Sequence, residues 1–314
     1  MRITVVLCTY NRVRSLATAL ESIATQTVPQ SVGWEILVVD NNSSDETRQV
    51  VEDFQRRYPK RIRYLFEPQQ GLSYARNAGI RDSRSDILAF IDDDETASTD
   101  WLQNLTANLL GGEWAGAGGR VLPQWNGSRP RWLSAKGSFA LGPLAVFDPG
   151  LEAGLMTVPP VGANMAFRKE AFDKYGEFRT DLGRAGKNLL SNEDIELGRR
   201  LMNAGERLRY EPLAVTYHPV EETRARREYF LAWWFNKGRS DVLESGIQSS
   251  RKHVLGIPLR LFRDFVVETV RWIASFDPSQ RFVSKLKVWC YAGQAFESYA
   301  QALRARRRRV ACND

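Results

Sequence analysis

The residues best suited to chemistry are Asp92, Asp93, Asp94 and Glu95, four consecutive acids that end the apolar segment Ile87-Leu88-Ala89-Phe90-Ile91. A buried strand does not carry such charges, so they belong at its carboxyl end, where open α/β sheets bind ligands. Carboxylates packed this closely repel one another unless a cation lies between them, and a divalent metal is the natural partner. Magnesium and manganese keep positions open for substrate phosphates, so the cluster points to a nucleotide-diphosphate site more than to structural calcium. An exposed acidic turn is the alternative for this segment read alone.

A second constellation is Asn192-Glu193-Asp194-Ile195-Glu196-Leu197. Acids in a first helical turn are favoured by the helix dipole, which explains this cluster by itself but not its occurrence together with the upstream acids. His218 closes a short apolar run and is either a candidate metal ligand, because imidazole completes carboxylate and diphosphate shells, or a structural histidine, the commoner role of a lone His. Arg76 follows a glycine-led turn, where it would pair with a diphosphate oxygen or form a surface ion pair.

The elements that must position these groups alternate at short spacing. Strands are read at 3–8, 35–39, 62–66 and 87–91, and helices at 15–26, 45–58 and 72–80, the second capped by Asn42-Ser43-Ser44-Asp45. This is the pattern of βαβ units feeding a mainly parallel sheet. Residues 111–160 are rich in Gly, Pro and Trp and are assigned little beyond short strands and loops. In that stretch Pro123-Gln124-Trp125 and Arg131-Trp132-Leu133 are candidate surface aromatic contacts. Order resumes with a strand at 161–167, helices at 169–175 and 193–203, and a strand at 214–217. Three helical stretches follow at 226–237, 259–275 and 282–307. The middle one is amphipathic, with Leu261, Phe262, Phe265, Val266, Trp272, Ile273 and Phe276 at helical spacing.

These positions also resemble a known family. Thr9-Tyr10-Asn11-Arg12, Val38-Val39-Asp40-Asn41-Asn42-Ser43-Ser44-Asp45, Gly71-Leu72-Ser73-Tyr74-Ala75-Arg76-Asn77-Ala78-Gly79, Phe90-Ile91-Asp92-Asp93-Asp94 and Asn192-Glu193-Asp194 occur in the order and spacing of inverting family 2 glycosyltransferases. The resemblance spans roughly residues 1–220. It implies the GT-A fold, a Rossmann-like mixed sheet, over a catalytic domain of 1–224, followed by a helical C-terminal region at 225–314. It further implies that Thr9, Tyr10, Asn11, Arg12, Asp40 and Asn42 surround the base and ribose of a nucleotide-sugar. Asp40 can accept the imide N–H of uracil, or it is a helix-capping turn residue. Of the acidic triplet, Asp92 resembles the ribose contact and Asp94 the metal ligand, with Asp93 between them; residues two apart in an extended chain face the same way. Asp194 resembles the base that deprotonates the acceptor hydroxyl, with Glu193 as acceptor contact or second choice of base. Gly162-Ala163-Asn164 resembles the small-residue strand near the donor sugar, where Gly162 has the alternative of a packing glycine.

The implied reaction moves a sugar from a nucleoside-diphosphate donor, a UDP-sugar in the first instance, to a hydroxyl of a saccharide or lipid-linked acceptor, with Mn2+ or Mg2+ as cofactor. Bacterial polysaccharide synthesis is the implied setting. Two rivals are a non-catalytic nucleotide-sugar-binding scaffold and a nucleotidyltransferase. The second usually carries a Gly-rich, Lys-bearing loop after its first strand, whereas Thr9–Arg12 contains no glycine.

Charge separates the chain into two parts. Residues 1–224 hold 27 Lys+Arg against 29 Asp+Glu, while 225–314 hold 17 against 8. The tail's +9 points to an anionic partner. Three readings stand: docking on an anionic membrane face with Arg304 to Arg309 as a polybasic end, nucleic-acid binding without any supporting motif, and packing on the catalytic domain with solvated arginines. The 255–276 stretch carries too many charges to span a bilayer, and no secretory signal pattern is read at Met1. Cys8, Cys290 and Cys312 lack metal or redox spacing, which fits a cytoplasmic protein, peripheral on the membrane under the first reading.

Overall fold

The computed structural model describes residues 2–125, 127, 129–130, 132–133, 141–186, 188–246 and 252–311, with side chains described up to residue 306 of the last helix. Arg131, Cys312 and the side chains of Arg307, Arg308 and Arg309 therefore lie outside the described residues. The chain divides into two compact units.

The first unit comprises residues 1–126, 144–180 and 193–220. It contains β1 (Arg2–Thr9), α1 (Val13–Ala24), β2 (Gly33–Asp40), α2 (Thr47–Arg57), β3 (Ile62–Phe66), α3 (Leu72–Asp82) and β4 (Ile87–Asp92). There follow β5 (Thr96–Ala97), α4 (Trp101–Thr106), β6 (Gly116–Trp125), β7 (Gly154–Leu155), β8 (Asn164–Arg168), α5 (Lys169–Tyr175), α6 (Glu193–Asn203) and β9 (Leu208–Val220). One sheet runs β3-β2-β1-β4-β8-β6-β9-β5, with β7 on β9. Its first four strands are mutually parallel, and β8 pairs antiparallel with both β4 and β6.

Apolar runs cover both faces of this sheet, which is why the strands read as continuous rather than alternating hydrophobic segments. Val5 and Leu7 of β1, with Ile36, Val38, Ile87, Ala89 and Ile91, join one core under α1 and α2. Val6, Leu37, Val39, Leu88 and Phe90 point the other way, into a core with Ala75, Phe172, Leu197 and Leu201. In α1, Leu16, Ala19, Leu20 and Ile23 recur at helical spacing and are all buried. Each such Leu or Ile contributes about 1.5–3 kcal/mol by leaving water.

β6 is a ten-residue strand in the stretch the residue pattern leaves almost unassigned. Its signal is lost because glycines replace the usual β-branched residues. At Gly119 an added Cβ would lie 2.1 Å from the carbonyl oxygen of Ala214 and 2.5 Å from the Asn164 amide nitrogen, so only glycine fits. The β6–β9 register shifts between Gly119 and Arg120. β9 itself is 13 residues long, well beyond the 214–217 core expected of it.

The second unit comprises residues 127–143, 181–192 and 221–314, so it adds two excursions to the C-terminal region. Its main elements are α7 (Arg227–Ser245), a small hairpin of β10 (His253–Val254) and β11 (Ile257–Pro258), α8 (Leu259–Ala274) and α9 (Pro278–Ala311). α7 and α9 cross in backbone contact: a Cβ at Gly238 would sit 2.0 Å from the Cys290 carbonyl oxygen, and one at Gly293 would sit 1.9 Å from that of Phe235. Trp132 packs edge-on to Phe230 and Phe282, with ring centroids 5.1 and 4.9 Å away, so the half-buried ring is engaged within this unit instead of standing free at the surface. Among the described residues no helix is long and apolar enough to cross a membrane.

Candidate active site

The predicted site residues of the first unit gather at the carboxyl ends of β1, β2 and β4, at the start of α6, and on β9. β1 delivers Thr9 beside Asp40 at the end of β2, through the parallel register Thr9↔Asp40. The two following loops are tied together. The Asn11 amide donates to the Ser43 hydroxyl at 3.0 Å, the Ser44 amide donates to Asn11 Oδ1 at 2.7 Å, and the Val13 amide donates to Asp45 Oδ2 at 3.2 Å. Asn11 and Asn42 have φ of 51° and 65°, a left-handed conformation that Asn tolerates better than most residues. Asp45 also accepts from the Thr47 amide, so one carboxylate serves the starts of both α1 and α2.

Asp40 is buried and accepts from the Ser43 amide at 2.9 Å and the Tyr64 hydroxyl at 2.8 Å. Burial first, then this bond to Asp40, pushes the Tyr64 hydroxyl up to about 12. These two bonds among the described residues take two of the roughly four acceptor positions of the carboxylate. Tyr10, which follows Thr9 at the end of β1, is 37% exposed. Asn41, to which the residue pattern gave no role, is buried and holds the loop between β3 and α3 at three points: its Nδ2 donates to the Glu67 and Gln69 carbonyls, and its Oδ1 accepts from the Gly71 amide at 2.7 Å.

The acids that close β4 divide between two arginines. The strand ends at Asp92 and the chain turns, the Glu95 amide donating to the Asp92 carbonyl at 3.2 Å. Strand alternation therefore does not extend to Asp94, contrary to the expectation that Asp92 and Asp94 share a face. Instead Asp93 and Asp94 both receive the Arg12 guanidinium, Asp93 at 3.1 Å and Asp94 in a close contact. Burial lowers the Arg12 pKa, but Asp93 and Asp94 outweigh it and hold the group charged. Burial raises the Asp93 carboxyl to about 7 against the pull of Arg12, with Asp94 adding to the rise.

β5 follows directly and pairs antiparallel with β9 through Thr96↔Tyr217, which sets His218 beside the turn. The buried His218 Nε2 lies 3.8 Å from Asp94 Oδ2. Two metal–ligand bonds of about 2.1 Å can span that gap, so one carboxylate and one imidazole fit a single divalent cation. Among the described residues no three His, Cys, Asp or Glu side chains converge into a fuller shell. The remaining coordination positions are then of the kind that phosphate oxygens and water fill.

Arg76 is neither a surface residue nor open to an approaching phosphate. Its side chain is 3% exposed, paired with Glu193 at 2.7 Å and Asp92 at 3.4 Å, and it donates to the Gly162 carbonyl at 3.3 Å. Burial lowers its pKa, yet Glu193, Asp92 and Asp194 outweigh it and keep it charged. Burial, helped by Asp194, raises Glu193 to about 7 while Arg76 pulls it down. Glu193 thus serves the Arg76 pair, and Asp194 is the half-buried acid of the two. Asp194 Oδ2 accepts from the Gly162 amide at 2.6 Å. Gly162 is a packing glycine in the strict sense: a Cβ there would lie 2.5 Å from Arg76 Nη2.

Asn164, expected near the donor sugar, is committed to the fold. It is fully buried, its Oδ1 accepts from the Trp101 indole at 2.9 Å, and its Nδ2 donates to the Arg120 and Ala214 carbonyls at 2.9 and 2.8 Å. Those carbonyls sit at the β6–β9 register shift, where ladder pairing lapses, and the amide replaces the missing bonds.

The sequence profile described as "Glycosyl transferase family 2" matches residues 4–176. The chain belongs to glycosyl transferase family 2. This glycosyltransferase is 32% identical over 244 residues to the succinoglycan biosynthesis protein ExoM of Rhizobium meliloti, covering 76% of the chain and 74% of the relative. It is 28% identical over 252 residues to the glucosyl-dolichyl phosphate glucuronosyltransferase of Haloferax volcanii, covering 77% and 78%. Among solved structures it resembles the mannosyltransferase PcManGT from Pyrobaculum calidifontis, in complex with GDP-Man and Mn2+. The TM-score is 0.57 at 20% identity, over 97% of this chain and 74% of that one. The enzyme's fold is accordingly GT-A.

Proposed function

We propose that the enzyme transfers a sugar from a UDP-linked donor to a hydroxyl of a saccharide or lipid-linked acceptor, with inversion at the anomeric carbon and with Mn2+ or Mg2+ at Asp94 and His218. The observation that carries this reading is the 3.8 Å approach of His218 Nε2 to Asp94 Oδ2 in the same unit as an Asp194 held by the Gly162 amide. The cation, when bound, offsets the charge that grows on the departing diphosphate.

The chain's own residues do the rest. Asp40 accepts an N–H from the base while Tyr10 stacks on the ring, in a pocket formed by the tied loops of Thr9–Arg12 and Asn42. Asp92 faces the ribose and Arg12 orders the acids beside it. Asp194 takes the proton of the acceptor hydroxyl as its oxygen bonds to the anomeric carbon. The bond from that carbon to the diphosphate oxygen breaks, and nucleoside diphosphate leaves with both electrons. General-base assistance of this kind contributes about 10²–10⁴ in rate. A lipid-linked acceptor is supported by the relative named for glucosyl-dolichyl phosphate, and Mn2+ by the mannosyltransferase complex.

The test is a panel of UDP, GDP and dTDP sugars with Mn2+, read by thermal shift and by released nucleoside diphosphate. Asp194→Asn should keep the donor-induced shift and lose turnover, and Asp94→Ala should lose both. Full transfer by Asp194→Asn, or retained anomeric configuration in the product, would overturn the assignment. Released pyrophosphate would instead mark a nucleotidyltransferase.

A further inference from the structure

We infer that the outer face of α8 seats the enzyme on an anionic lipid surface, lying along it without crossing. α8 buries only Leu261 and Glu268. Phe262, Val266, Val270 and Ile273 form a stripe at spacings of three and four away from those two, with exposure rising along it to 69% at Ile273, and Phe276, just past the helix end, is 102% exposed. A solvated helix of a monomer has polar residues there, and a continuous apolar stripe marks a contact surface.

Charge selects the occupant. The helix carries Arg260, Arg263 and Arg271 against Asp264 and Glu268, and both acids are already engaged: Asp264 with Arg263 at 2.8 Å, and the buried Glu268 with Arg271 at 2.8 Å and Lys287 at 3.4 Å. Burial raises the Glu268 carboxyl, but bonds from Ser284, Arg271 and Lys287 bring it below the usual carboxylate range, so it stays ionised inside the helix pair. Residues 225–314 hold 17 cationic against 8 anionic side chains. A second copy of the chain would bring like charge to like, whereas anionic headgroups complement it. The apolar stripe then enters the acyl boundary while arginines at its margin reach phosphates.

The test is co-sedimentation of the full chain with vesicles of phosphatidylcholine alone or with one third phosphatidylglycerol. The wild type should pellet with the anionic vesicles and be released in part by 0.5 M NaCl. Val266→Asp/Ile273→Asp should lower the partition about a hundredfold, tenfold for each side chain withdrawn, with the melting temperature and donor turnover in solution unchanged because both sites are exposed. Arg260→Gln/Arg263→Gln should weaken anionic binding alone. No binding to anionic vesicles overturns the inference, as does equal binding by the aspartate variant. A wild-type dimer in sedimentation velocity that the aspartate variant makes monomeric would assign the stripe to a second copy instead. Turnover in solution separates a failure of docking from a failure of the catalytic reading.

Discussion

Arg76→Ala is the perturbation that most directly probes the centre of the site. The side chain is 3% exposed and its strongest partner, Glu193, is 7% exposed at 2.7 Å. Removing one member of a buried ion pair leaves the other charge uncompensated, at a cost of about 3–5 kcal/mol. For a unit of this size that is a fall in Tm of about 6–20 °C. The loss should also depend on pH. Burial lifts Glu193 from an ordinary value of 4.5 to about 7, while Arg76 works against the rise. A carboxyl whose folded pKa lies above its unfolded one imposes no ionisation penalty below the unfolded pKa; the penalty grows as pH rises and is complete above the folded pKa. Deleting Arg76 lifts the folded pKa further, so the penalty should keep growing above pH 7, by up to about 1.4 kcal/mol per pH unit. Denaturant melts at pH 5.5 and 8.5 should show Arg76→Ala more damaging at the higher pH, and Arg76→Ala/Glu193→Gln should remove that difference. A loss below about 1 kcal/mol, or the same loss at both pH values, would refute the placement of the pair.

Three other outcomes follow from the same geometry. Arg12→Gln should tighten Mn2+ binding in the absence of donor by about tenfold in calorimetric titration, because a competing cation leaves Asp93 and Asp94. Gly162→Ala should cost about 1–3 kcal/mol and lower turnover, since its methyl would occupy the space of an Arg76 nitrogen 2.5 Å away. Gly293→Ala should cost about 3 kcal/mol and expose α9 to limited proteolysis, because its Cβ would meet the Phe235 carbonyl at 1.9 Å, a backbone atom that cannot step aside.

The first hundred residues were legible because β1, β2 and β4 are apolar runs that end at Thr9, Asp40 and Asp92, and α1 and α2 repeat their buried positions every three or four residues. β3 and α5 fall on the ranges read from the pattern. β6 was not legible, since Gly116, Gly118 and Gly119 carry no side chain to show a period. The first half of β9 was missed because Arg209 and Glu211 interrupt its apolar character while pairing with each other. At the site, residue type and spacing located the acids, Arg12 and His218, but not their partners. Which acid Arg12 or Arg76 meets depends on contacts 81 or 117 residues apart in the chain. Asn164 carried one usable signal, a lone amide in the apolar strand Asn164-Met165-Ala166-Phe167, which suits a buried bracket as well as a sugar contact.

The two guanidinium groups have a consequence for how the protein can be handled. Arg12 and Arg76 neutralise Asp92, Asp93, Asp94 and Glu193 from within the polypeptide, and burial already draws Asp93 and Glu193 toward their uncharged forms. The framework thus needs no borrowed ion to stand, unlike domains whose folding energy is their coordination energy. Treatment with EDTA should leave a stock that is intact, monodisperse and ready for reloading.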